Sequence, residues 1–156
     1  LNIGEDCDDG NTVNCDSCPS NCKNTTAPVQ CTSTTTRFAQ TISLSVPGDT
    51  ISGAQFCLDY PSGVVALPGT GNVATGGTTP RLTGVSGIAT LNDFNNAVQV
   101  TFAATAGQAT WSPTISFDLC TGQTAPPPTA FVCVVKSASN GVPAHIDPTT
   151  VVCTPQ

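Results

Sequence analysis

From residue 54 to residue 59 the chain reads Ala54-Gln55-Phe56-Cys57-Leu58-Asp59. Ala54, Phe56 and Leu58 alternate with Gln55, Cys57 and Asp59, so an extended backbone here has one apolar side and one polar side. That period of two belongs to a half-buried strand. It recurs where Val98, Val100 and Phe102 alternate with Gln99 and Thr101, and where Ile115, Phe117 and Leu119 alternate with Ser116, Asp118 and Cys120. Upstream, Phe38, Ile42, Leu44 and Val46 precede the turn residues Pro47-Gly48-Asp49. Val64 to Leu67 follows Pro61-Ser62-Gly63 as a short strand, and Val85, Ile88 and Leu91 mark another. Phe131 to Val135 is apolar on both faces, as an inner strand is, and Val151 and Val152 close the set. About eight short strands without a helical period predict an all-β fold, an antiparallel jelly-roll or Ig-like β-sandwich. Phe56, Leu58, Val98, Val100, Phe102, Ile115, Phe117, Leu119, Phe131 and Val135 are its expected core. Helix is expected in under about a tenth of the chain, well below the globular norm.

Around those strands the composition is that of a secreted module. Only 9% of the 156 residues are charged, Met is absent, and Trp and Tyr occur once each. Twenty-five Thr and twelve Ser carry aliphatic hydroxyls. Ten acidic residues against four basic ones give a net charge of −6. Lys23, Arg37, Arg81 and Lys136 are scattered, so no basic patch meets a nucleic-acid backbone or an anionic membrane surface. No apolar run approaches the roughly 18 residues of a membrane span. The chain starts at Leu1, which fits a processed product whose leader has been removed. Gly69 to Pro80 reads as a long flexible loop, and Ala125 to Thr129, with three consecutive prolines, as a stiff connector.

Texture changes near Cys31, and two units are expected: a cysteine-rich segment over 1–31 and a sandwich over 32–156. The first holds Cys7, Cys15, Cys18, Cys22 and Cys31, half of the acidic residues, and almost no large apolar side chain. It cannot fold on hydrophobic burial alone. Nine cysteines in an acidic, Lys-poor chain point to disulfides in an oxidising compartment, hence to an extracellular protein. Zinc would use spacing like that of Cys15, Cys18 and Cys22, but His145 is the sole histidine and no second ligand pair is in view. Cys7, Cys15, Cys18 and Cys22 are expected to bond within the segment, and Cys57, Cys120, Cys133 and Cys153 within the sandwich. Cys31 at the junction is then the odd thiol or a cross-segment partner.

Two resemblances bear on this. The stretch from Gly4 to Cys22, GEDCDDGNTVNCDSCPSNC, resembles the cysteine-rich disulfide repeat of myxobacterial type found in bacterial surface proteins. Gly4, Glu5, Cys7, Asp8, Asp9, Gly10, Asn11, Thr12, Cys18 and Cys22 match its pattern. Cys15 stands where that family has Gly and the family's upstream Cys is missing, so its pairing scheme is not carried over. Residues 40 to 153 are similar to cohesin-like modules, through PGDTISGAQFCLDYPSGVVAL, AVQVTFAA, TISFDLC and AFVCVV. This resemblance implies a sandwich that acts as a binding module.

Candidate ligands and modification sites are few. Asp6, Asp8, Asp9, Asn11 and Asp16 concentrate the hard oxygen donors that Ca2+ prefers. They equally suit tight turns in a disulfide knot, and the EF-hand template fails at Gly10. Asn24-Thr25-Thr26 is an N-glycosylation sequon. Thr34, Thr35, Thr36, Thr78 and Thr79 are O-glycan candidates, against the plain alternative of strand propensity. For catalysis, His145 lies in a Pro-bounded loop without a Gly-x-Ser-x-Gly elbow. Asp49, Asp59, Asp93 and Asp118 are acid candidates by type only, with Asp49 a turn residue and Asp118 facing solvent. The expected function is therefore non-enzymatic. It is a secreted structural protein, a subunit of a surface fibre or matrix, homo-oligomeric through an N-terminal segment that packs on a neighbouring copy; an arm folded back on its own sandwich is the other arrangement open to that segment. The alternative is a cohesin-type module that binds a partner domain or a glycan; an aromatic platform would favour a glycan, but only Trp111 and Tyr60 are available for one, which argues against it.

Overall fold

Two long strands flank the Pro47-Gly48-Asp49 punctuation: β1 (Thr34–Ser45) before it and β2 (Ile51–Asp59) after it. Gly48 takes φ +77°, a region that L side chains avoid, and the Asp49 N–H closes the turn on the Val46 carbonyl at 3.5 Å. The computed structural model describes residue 15 and residues 31–67, 71–72, 81–94, 96–141 and 145–156. The further strands among them are β3 (Val65–Ala66), β4 (Gly71–Asn72), β5 (Leu82–Thr83), β6 (Ile88–Asp93) and β7 (Ala97–Gln108). After these come β8 (Thr110–Trp111), β9 (Thr114–Cys120), β10 (Val132–Ser139), β11 (His145–Ile146) and β12 (Val152–Pro155). Helix among the described residues is limited to two 3-10 turns, Pro128–Ala130 and Pro148–Thr150.

The strands form two antiparallel sheets. The first runs β12-β1-β9-β3, with β5 also on β9 and β8 also on β1; the second runs β11-β10-β2-β7-β6-β4. Register places apolar residues opposite one another: Phe56 faces Val100 on one side and Val135 on the other, while Phe38 faces Phe117. Side chains of both sheets meet in one core that holds Ile42, Leu44, Phe56, Leu58, Val98, Val100, Phe102, Ile115 and Phe117. Phe131 stacks on Phe38 at 6.1 Å and tilts against Phe117 at 5.8 Å, so rings from the connector and from the first sheet interlock.

Two expectations need correction. Leu119 and Val135 are only partly buried, because Leu119 faces the two-residue β3 and Val135 borders a register shift in β10. Phe131 to Val135 is not an inner strand. Phe131 precedes β10 and enters the core, and among the described residues the edge of β10 away from β2 pairs only with β11, at Ala138 and Ser139. Val132, opposite Asp59 on the face turned away from the core, is 57% exposed. Thr34 to Thr36 open β1, with Thr34 opposite Cys120. The expected loop from Gly69 to Pro80 lies outside the described residues, except that Gly71 and Asn72 pair with β6.

Candidate structural site: three cystines across the sheets

The strand alternation sorts the cysteines by face. Cys133 lies opposite Leu58 and Cys153 opposite Leu44, so both belong to inward positions and pack against the core. They bond to each other and tie β10 of the second sheet to β12 of the first. Cys57 lies between Phe56 and Leu58, on the side of β2 that faces away from the core. Cys120 shares its parity with Ser116 and Asp118, on the outward side of β9. These two reach partners that precede β1: Cys57 bonds Cys15 and Cys120 bonds Cys31. The expected partition therefore fails for Cys15, Cys57 and Cys120, while Cys31 is a cross-segment partner. The signal was present in the sequence. A cysteine that faces outward from a sheet cannot bond across the core, so the face of Cys57 and Cys120 excluded the inward cysteines as partners without naming the true ones.

Each outward bridge has a prepared seat. Cys57 is fully buried, Cys15 is 5% exposed, and they pack with Ala97 and Val134 in a small apolar cluster apart from the main core. At the other bridge the β1–β9 ladder is prolonged by the Thr121 N–H donating to the Ser33 carbonyl at 3.0 Å and the Ser33 hydroxyl donating to Thr121 Oγ1 at 2.7 Å. These bonds hold Cys31 beside Cys120. The three bridges use six of nine cysteines and leave Cys7, Cys18 and Cys22, an odd number, outside the described residues.

The aromatic platform is absent from the outside because both of its members are interior. Trp111 is 3% exposed, tilts against Phe102 at 5.0 Å and donates its indole N–H to the Ile51 carbonyl at 2.6 Å. Tyr60 is 5% exposed, tilts against Phe117 and donates its hydroxyl to Asp93 at 2.7 Å. Burial, then the charge of Asp93 and this hydrogen bond, push the Tyr60 hydroxyl far above the usual phenol range. Asp93, predicted only by residue type, is thus a buried acceptor. Asp118 does face outward but lies under Arg81, whose guanidinium meets its two oxygens at 2.7 and 3.1 Å and also reaches the Ser116 carbonyl. That forked contact closes the end of β5 over β9.

Near the β1–β2 turn a cleft of about 690 Å³ is lined by Val46, Asp49, Asn140, His145, Asp147 and others. Its acids already serve the backbone. Asp49 accepts from the Thr50 N–H at 2.7 Å and from Asn140 at 3.3 Å. Asp147 caps the Pro148–Thr150 turn by accepting from the Thr149 N–H and hydroxyl, which holds its carboxyl below the usual range. His145 is exposed in β11 rather than in a loop. Among the described residues no three His, Cys, Asp or Glu side chains converge as a metal site. The calcium candidates Asp6, Asp8, Asp9, Asn11 and Asp16, and the glycan candidates Asn24, Thr78 and Thr79, lie outside the described residues. Thr34, Thr35 and Thr36 are exposed at the start of β1.

Hydroxyls that sequence reading left unplaced tile the outer face of the first sheet. Thr41, Thr114 and Thr83 stand opposite one another across β1, β9 and β5, with Thr41 and Thr114 hydroxyls 2.9 Å apart. No protein-family model, curated protein or solved structure matches the chain.

Proposed function

We propose that the chain is a secreted, non-enzymatic structural protein, a jelly-roll or Ig-like sandwich subunit of an extracellular fibre or matrix that assembles through its N-terminal segment. The observation that carries this reading is the pair of cystines that fix that segment to outward positions of both sheets, Cys15 to Cys57 and Cys31 to Cys120. Cys15 and Cys31 are thereby held at set places on the two sheets, which gives a neighbouring copy fixed points to meet. A contact of that kind that does not close on itself builds a filament. Three disulfides are consistent with the oxidising exterior.

The cohesin-like alternative draws on the two-sheet architecture. Its glycan form is disfavoured by the interior placement of Trp111 and Tyr60. Negative-stain microscopy of native material separates the readings: fibres are expected, and dispersed monomers overturn the structural one. Deleting residues 1 to 30 should abolish assembly while the sandwich still folds.

A further inference from the structure

Two of the three cystines stand in an order along the chain that packing of the sandwich does not require. Cys31 precedes β1 and its partner Cys120 ends β9; Cys133 stands at the start of β10 and its partner Cys153 lies in β12. Only thirteen positions separate Cys120 from Cys133.

We propose that these two bridges form a covalent shunt that carries tension around the sandwich, so that a chain pulled from its two sides is not drawn out by unfolding. The shortest covalent route enters at Cys31, crosses to Cys120, follows residues 121–132, and crosses from Cys133 to Cys153. Strands β1 to β9 sit in the closed loop between Cys31 and Cys120, and β11 with nearly all of β10 in the loop between Cys133 and Cys153. Neither loop lies on the route. Thirteen residues reach about 45 Å when fully extended, and the bridges add Cα–Cα spans of 5.3 and 5.7 Å. The same ends without bridges are 122 residues apart and reach about 420 Å.

The connector is suited to this task. Pro126, Pro127 and Pro128 occupy its middle, and Pro127 already has φ −68° and ψ 157°, the polyproline conformation. That conformation rises about 3.1 Å per residue, close to the limit for an extended chain, and the slack that the connector keeps lies in its turns at Thr121–Gly122 and Pro128–Ala130. Phe131, at the far end of the connector, is 4% exposed and held between Phe38 and Phe117. The Cys15–Cys57 bridge, by contrast, closes a loop that the route does not use. The shunt rests on the structural reading for its purpose, since a fibre subunit is the setting in which tension reaches both sides of the chain.

Single-molecule force spectroscopy on the full oxidised chain, held at residues 1 and 156, tests it. Total contour is expected to stay below about 170 Å, against about 530 Å after reduction. Replacing Cys15→Ser with Cys57→Ser should leave that length unchanged. Replacing Cys133→Ser with Cys153→Ser should add about 70 Å, the twenty residues of the released loop. Replacing Cys31→Ser with Cys120→Ser should add at least about 160 Å, because the Cys15–Cys57 bridge then takes the load and leaves residues 57 to 133 on the route. An oxidised chain that extends well past 170 Å, or a Cys133/Cys153 variant of unchanged length, overturns the shunt. The Cys133/Cys153 variant keeps the large loop closed, so its length remains decisive even if the Cys31/Cys120 variant does not fold. Absence of fibres with these lengths intact counts against the structural reading alone.

Discussion

The space between the sheets and the seat of Cys15 on the outside of the second sheet are both dry, yet they are held in opposite ways. Between the sheets, twenty-two buried side chains from nearly every strand form one cluster. At the seat, Cys15, Cys57 and Ala97 make a cluster of three. The first is contiguous enough for burial of apolar surface to hold it. The second belongs to a segment that is almost without large apolar residues, so a covalent bond supplies what burial lacks. Where apolar area is plentiful the chain relies on it, and where area is scarce it is crosslinked.

That contrast breaks first at the bridges. Loss of Cys31–Cys120, which closes 89 residues of sandwich, is expected to cost about 4.5 kcal/mol on the loop-closure relation. Loss of Cys15–Cys57, which closes 42 residues and is worth about 4 kcal/mol on the same relation, should lower the sandwich transition by less than that, because part of its loop precedes β1. Urea melts followed by the fluorescence of Trp111, the sole tryptophan, make the measurement. Equal losses would mean that the seat is part of the main cooperative unit.

Phe56→Ala tests the other side. Phe56 is fully buried in β2, between β7 and β10, and its truncation should cost about 4 kcal/mol. A loss below about 1 kcal/mol would show that the crosslinks, not the core, hold the sheets together.

Tyr60→Phe keeps the ring and removes the hydroxyl that donates to Asp93, for an expected loss of about 1–3 kcal/mol. The raised Tyr60 pKa also fixes a direction with pH. Its contribution is complete below the unfolded phenol value near about 10 and is lost as pH rises above it. Tyr60 is the only tyrosine, so tyrosinate absorbance should grow only as the protein unfolds in alkali. Phenolate appearing in the folded protein near pH 10 would contradict its burial.

The smallest effect is at Asp147. Its lowered pKa means that the cap on Pro148–Thr150 is present above the unfolded carboxyl value and is lost as pH falls through the folded one. NMR titration should find this carboxyl below the ordinary aspartate range, and Asp147→Asn should perturb only the neighbouring turn. A normal titration midpoint would mean that the cap contributes nothing in solution.

Much of this fold was legible in the chain because side-chain direction in a strand is a local property. Alternation at Ala54–Asp59, Val98–Phe102 and Ile115–Cys120 assigned inward and outward faces, and Pro47-Gly48-Asp49 fixed the turn between two long strands. It also assigned faces to Cys57 and Cys120 before any pairing was known, whereas Cys133 and Cys153 took theirs only from the strand register. Tertiary structure alone decided which strands are neighbours. Among the described residues, that choice left the edge of β10 away from β2 paired only with β11. It also set Tyr60 against Asp93 and Arg81 over Asp118, and joined Cys15 to Cys57 and Cys31 to Cys120. Each of these four side-chain contacts joins residues more than thirty positions apart, and a period of two carries no information about distant partners. Local geometry is written residue by residue, whereas strand order is settled by how the whole chain buries its apolar faces at once.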